Sequence, residues 1–133
     1  MENHVCVMFG ISNAPDSVTE KILKTAERYY LEYGVRLFIF GNYGNFDKCA
    51  LMAFNTLKEK YPDIGASIKM TYSPPIEKIP REFPLLEWQS QFIRNAKIFI
   101  CYVKRPYNTR LLLKNMQGIY DYDSRIVINL ARR

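Results

Sequence analysis

The sequence predicts an α/β protein: a doubly wound, mostly parallel sheet of five strands with helices on both faces. Three observations predict it. Short apolar runs alternate along the chain with segments of helical periodicity. The runs are close to continuously apolar, as strands buried on both faces must be. Each run is separated from the next by enough chain for a crossover, and right-handed crossovers then make the neighbouring strands parallel.

The first run, His4–Phe9 (HVCVMF), ends at Gly10 and reads as a buried strand. Ile11–Pro15 is a loop. Asp16 or Ser17 is placed to cap the helix that follows, with Glu20 completing a capping box from Ser17. Val18, Ile22, Ala26, Tyr29 and Tyr33 recur at three- and four-residue steps, which lines one helix face, and Gly34 stops it. Val35–Phe40 (VRLFIF) is the second strand. The turn FGNYGNFD follows, with Asp47 read as the N-cap of a helix marked by Ala50, Ala53 or Phe54, Leu57 and Tyr61 and ended by Pro62. Ile64–Tyr72 alternates and reads as the third strand. Residues 73–86 hold four of the seven prolines, so they form a long irregular connection. Trp88–Asn95 reads as a short helix, Ile98–Val103 as the fourth strand, Thr109–Gly118 as a helix, and Arg125–Leu130 as the fifth strand. A turn around Asp121 lies between Tyr120 and Tyr122. All 133 residues fit one domain with one core, given an apolar content of 48%.

Composition narrows the class. No apolar stretch reaches the roughly 20 residues that span a bilayer, and no basic-then-apolar leader opens the chain. A cytoplasmic protein without membrane contact is expected. Cys6, Cys49 and Cys101 are odd in number, far apart and set among apolar residues, which reads as buried reduced thiols. The net charge of +6 is concentrated: residues 1–96 carry eleven basic and eleven acidic side chains, residues 97–133 eight basic and two acidic. A basic C-terminal third suits an anionic partner.

In an open parallel sheet, ligands sit beyond the carboxyl ends of the strands, where the winding reverses. The loops at that edge are Gly10–Pro15, Gly41–Asp47, Ser73–Glu87 and Lys104–Asn108. The amides of FGNYGNFD and the start of the helix behind it offer an anion cradle, because helix N-termini carry unpaired N–H groups and partial positive charge. Asp47 would oppose a phosphate and fits better as a cap or an acceptor for ribose hydroxyls. The spacing is neither GxGxxG nor a P-loop, since no Lys-Ser/Thr follows the glycines.

These residues resemble the SLOG superfamily, the Rossmann-like group of lonely-guy phosphoribohydrolases, the recombinase-loading DNA-processing protein and sensors of nucleotide-derived messengers. The likeness is closest to small bacterial members. It rests on Phe9-Gly10, on Gly41-Asn42-Tyr43-Gly44-Asn45-Phe46-Asp47, on Lys60-Tyr61-Pro62-Asp63-Ile64 and on Tyr72-Ser73-Pro74, and is most specific over residues 35–74. The second glycine motif of that group, which follows the fourth strand and grips phosphate, is missing. Lys104-Arg105-Pro106-Tyr107-Asn108-Thr109-Arg110 stands in its place, and Trp88-Gln89 replaces the group's Arg-Asn. The resemblance implies a single Rossmann-like domain that pairs through helices as a homodimer and binds a nucleotide-derived small molecule.

The ligand-binding set expected on this basis is Gly10, Ser12, Asn13, Gly41, Asn42, Tyr43, Gly44, Asp47, Arg105, Tyr107 and Arg110. The glycine loop would hold phosphate or ribose, the arginines would supply charge, and Tyr43 or Tyr107 would stack on a base. No catalytic residue is assigned. The phosphoribohydrolase needs a glutamate after its glycine motif, and the last glutamate here is Glu87. An N-glycosidic-bond enzyme, either a nucleotide hydrolase or deoxyribosyltransferase-like, stays open as the alternative. Asp47, Glu82 or Glu87 would then be the nucleophile. A protein-interaction scaffold with a degenerate pocket is the third reading. Single-stranded nucleic acid, stacked on the C-terminal tyrosines, ranks below these. No cofactor is expected, and a single histidine without a CxxC pair gives zinc no site.

Overall fold

The computed structural model describes residues 5–41, 44–68, 96–105, 107–117 and 119–132. Five strands, β1 (Val5–Gly10), β2 (Leu37–Phe40), β3 (Gly65–Ile68), β4 (Ile98–Tyr102) and β5 (Ile126–Asn129), form one sheet in the order β3-β2-β1-β4-β5. Every pairing is parallel. The sheet is thus parallel throughout rather than mostly so, and its winding reverses between β1 and β4, as in Rossmann-like folds. Helices α1 (Val18–Tyr33), α2 (Asn45–Lys60) and α3 (Thr109–Gln117) connect or flank the strands.

The central strands explain their own composition. All five residues of β4 and the last five of β1 are buried, so successive side chains point into apolar surroundings on both faces of the sheet. Phe38, Phe40, Phe46 and Phe99 are the largest fully buried side chains. Removing one such side chain from water stabilises the fold by roughly 1.5–3 kcal/mol. Cys6, Cys49 and Cys101 are free thiols inside this core. Burial pushes the Cys6 thiol far above its ordinary range and the Cys101 thiol up to about 12.

α1 buries Val18, Ile22, Ala26 and Tyr29, the expected face, and ends where Gly34 turns left-handed with φ 74° and donates its N–H to the Tyr29 carbonyl. Tyr33, expected on that face, is 38% exposed. A polar seam ties α1 to the end of α2. Glu27 accepts from Lys60 Nζ and from the Tyr61 hydroxyl, both at 2.6 Å. Beside it, Tyr30 donates to Asp63 at 2.7 Å and Arg36 pairs with Asp63 at 3.0 Å.

Several boundaries differ from the sequence reading. The Ser17 side chain makes no capping bond; the first turn of α1 is closed by main-chain bonds from Val18 to Pro15 and from Thr19 to Asp16. β1 runs through Gly10, which pairs with Tyr102. β2 begins at Leu37, because the Val35 N–H turns back to the Tyr29 carbonyl. Short 3-10 turns at Tyr122–Ser124 and Leu130–Arg132 flank β5; the first starts just after Asp121, around which the sequence placed a turn. The expected helix Trp88–Asn95, the proline-rich connection and the end of the third strand lie outside the described residues. Among the described residues, no helix is long and apolar enough to cross a membrane.

Candidate functional site

The carboxyl edge is built from three described loops. In the first, Ile11 continues β1 by donating to the Tyr102 carbonyl at 3.2 Å, and a turn closes from Ala14 N–H to Ile11 carbonyl. In the second, α2 starts at Asn45, two residues before the expected cap. Gly44 is the N-cap in extended backbone, and Asp47, on the first turn, reaches back to accept from its N–H at 3.4 Å. Asp47 is only 3% exposed. Its role is the reciprocal half of a cap, not the cap itself.

Gly10 and Gly44 in these loops are closely packed. A Cβ on Gly10 would sit 2.5 Å from the Phe46 ring, and one on Gly44 would sit 2.4 Å from Ser12 Cα. The loops therefore touch backbone to backbone. Asn45 sews the contact shut: its N–H donates to the Ser12 carbonyl at 2.7 Å, and its side chain donates to the Ala14 carbonyl at 2.6 Å and to Asp16 at 2.8 Å. Two of the amides that the sequence offers to a phosphate, those of Gly44 and Asn45, thus already have partners inside the chain. Gly41 is buried, Ser12 half-buried and Asn13 exposed. Asn42 and Tyr43 lie outside the described residues.

The third loop carries the charge. Beyond β4, Lys104 and Arg105 are exposed, and Tyr107 is half-buried against the core. Asn108 caps α3, accepting the Leu111 N–H on its side chain at 3.2 Å. Arg110 Nη2 pairs with Asp123 at 2.7 Å, and its guanidinium lies 4.4 Å from the Tyr122 ring centre. Asn129 at the end of β5 fastens the neighbouring strand. Its side chain accepts from Val103 N–H and donates to Val103 C=O, each at 2.9 Å, and also accepts from Ala131 N–H at 3.1 Å. One amide side chain thereby extends the β4–β5 ladder past its last main-chain pair.

Two open pockets lie at this junction. One, of about 280 Å³, is lined by Asn108, Thr109, Arg110, Tyr122, Asn129 and Arg132. The other, of about 400 Å³, is lined by Val103, Lys104, Arg105, Ala131 and Arg132. Arg132 belongs to both, and its Nη2 reaches the Tyr107 carbonyl at 3.5 Å. Cys101 lies beneath: burial dominates its raised pKa, and the Thr109 hydrogen bond and the Arg132 charge only partly offset it.

The structure thus gathers Arg105, Tyr107 and Arg110 around the ends of β4 and β5, and gathers Gly10, Ser12, Gly44 and Asp47 around the end of β1. Lys104, Asn129 and Arg132, which line these pockets, were not among the residues expected from the sequence. The excess of positive charge after residue 97 was the available signal, but nothing in the order of residues says which cations converge. Among the described residues, no group of histidine, cysteine and acidic side chains is placed to hold a metal. No family profile, curated protein or solved structure matches this chain.

Proposed function

We propose that the chain binds a nucleotide or nucleotide-derived small molecule at the carboxyl edge of its sheet and leaves it chemically unchanged. One observation carries this reading. The winding reverses between β1 and β4, and one strand beyond that reversal the carboxyl ends of β4 and β5 open into two pockets, one lined by Lys104, Arg105 and Arg132 and the other by Arg110 and Arg132. The resemblance of residues 35–74 to the SLOG superfamily supports the same ligand class, and pairing through helices as a homodimer belongs to the same reading. Asp47, the carboxylate nearest the glycine loop, is buried and holds the Gly44 N–H, a position suited to a cap and not to a nucleophile.

Native mass spectrometry of freshly purified protein, followed by thermal-shift titration with nucleoside mono- and diphosphates, tests the proposal. A retained adduct of nucleotide mass supports it, as does a ligand that raises Tm in proportion to occupancy; saturation at 100 times Kd adds about 2.7 kcal/mol. Failure of both across the panel refutes it. Free base released on incubation would refute the non-catalytic half alone. The tight Ser12–Gly44 contact favours a second reading, a scaffold whose first cradle has closed, and that reading gains if the panel fails.

A further inference from the structure

We infer that the anionic end of the ligand binds between β4 and β5, on side chains rather than main-chain amides, with Arg132 as its central contact and Lys104 and Arg105 beside it. The inference deepens the nucleotide reading and rests on it for the ligand class, which it narrows to compounds bearing a diphosphate.

Residues 97–133 contain only two acidic side chains, Asp121 and Asp123. Asp121 pairs with Arg125 at 2.8 Å and Asp123 with Arg110 at 2.7 Å. None of the ion pairs among the described residues involves Lys104, Arg105 or Arg132. These three cations nevertheless line one pocket. The fold holds them there. Asn129 clamps Val103, the residue before Lys104, and the same side-chain oxygen accepts from Ala131, the residue before Arg132. Leu130 is buried, which fixes the 3-10 turn from which Arg132 projects. Like charges brought together with no acidic partner among the described residues repel, and an anion placed among them removes that cost.

The count of charges sets the ligand. A phosphate monoester carries roughly −1.5 to −2 at neutral pH. A diphosphate carries about one charge more and so balances three cations. Guanidinium groups suit it, because their forked N–H groups bind two phosphate oxygens at once. The site lies to the β5 side of the β4 loop, away from the packed Ser12–Gly44 contact.

Inorganic pyrophosphate is the first probe and ADP the second, each titrated into the ¹⁵N-labelled chain at about 0.15 M ionic strength, where exposed charges more than about 8 Å apart are largely screened. Amide shifts centred on 103–105 and 129–132 are expected. Arg132→Gln should weaken pyrophosphate about ten-fold or more, the effect of losing a charged hydrogen bond, while its circular dichroism spectrum stays that of the parent. Arg28→Gln removes the same charge on α1 and should change affinity less than two-fold. Equal losses in the two variants would overturn the inference, since charge in general and not this site would be responsible. ADP shifts centred on Ser12–Ala14 and Gly44–Asp47 would also overturn it while leaving the nucleotide reading intact. Pyrophosphate binding here, with no nucleotide in the panel binding anywhere, would support the anion site and remove the nucleotide reading. A single-stranded DNA 12-mer that binds these residues more tightly than either probe, with affinity falling steeply with salt, would overturn the inference in favour of nucleic acid.

Discussion

Replacing Gly44 by alanine isolates the contact that joins the first two loops of the carboxyl edge. The backbone there is extended, with φ −119° and ψ −171°, so an L side chain suffers no conformational strain. What it meets is matter: the new Cβ would sit 2.4 Å from Ser12 Cα and 2.7 Å from Ser12 Cβ. Relief requires the loops to part by about 1 Å to reach an ordinary carbon–carbon separation. Overpacking of that kind costs about 1–3 kcal/mol. The parting also breaks the 2.7 Å bond from Asn45 N–H to the Ser12 carbonyl, which adds about 0.5–1.5 kcal/mol. A loss of about 2–4 kcal/mol should appear in urea unfolding, with a fall in Tm of roughly 6–15 °C. Gly65→Ala is the matched control. Its Cβ would meet only the Arg36 carbonyl, at 3.9 Å, and alanine there should leave stability unchanged or raise it by up to about 1 kcal/mol. A Gly44→Ala protein within 0.5 kcal/mol of the parent would refute the packing account and return the glycine to the ligand.

Three further outcomes are expected. Asn129→Asp keeps the acceptor for Val103 and Ala131 but sets a carboxylate against the Val103 carbonyl; chemical denaturation should show a loss of at least about 1–3 kcal/mol, and no loss would mean the clamp is ornamental. Glu27 has its pKa lowered first by the Lys60 hydrogen bond and then by that of Tyr61. A depressed folded-state pKa contributes stability that is full above the unfolded value, near pH 4.3, and is lost as pH falls through the folded value; Glu27→Gln should flatten the acid limb of stability against pH, and an unchanged limb would contradict this. Native protein should react with an aromatic disulfide reagent far more slowly than protein in guanidinium, because Cys6, Cys49 and Cys101 are all buried; one fast native thiol would contradict the core as described.

Much of the fold was legible because burial on both faces forces strands to be apolar at every position, as in Ile98–Tyr102, and because a left-handed stop favours glycine, as at Gly34. Boundaries were less so. FGNYGNFD contains two residues able to start a helix, and only the three-dimensional contact with Ser12 selects Gly44 over Asp47. Glycines read the same way in sequence whether they face a phosphate or a phenylalanine ring; Gly10, stacked under Phe46, shows which it is only after folding. Arg132 and Asn129 were invisible for a related reason. Both act across the β4–β5 pairing, a register of residues nearly thirty apart in the chain, and neither belongs to a local motif.

The most direct measurement is a crystal structure of the protein grown with ADP. Phosphate oxygens should lie about 3 Å from the Arg132 guanidinium, with Lys104 or Arg105 on the same group. Phosphate density lodged instead in the groove beside α1, lined by Lys24, Thr25, Arg28 and Ile128, would contradict that placement.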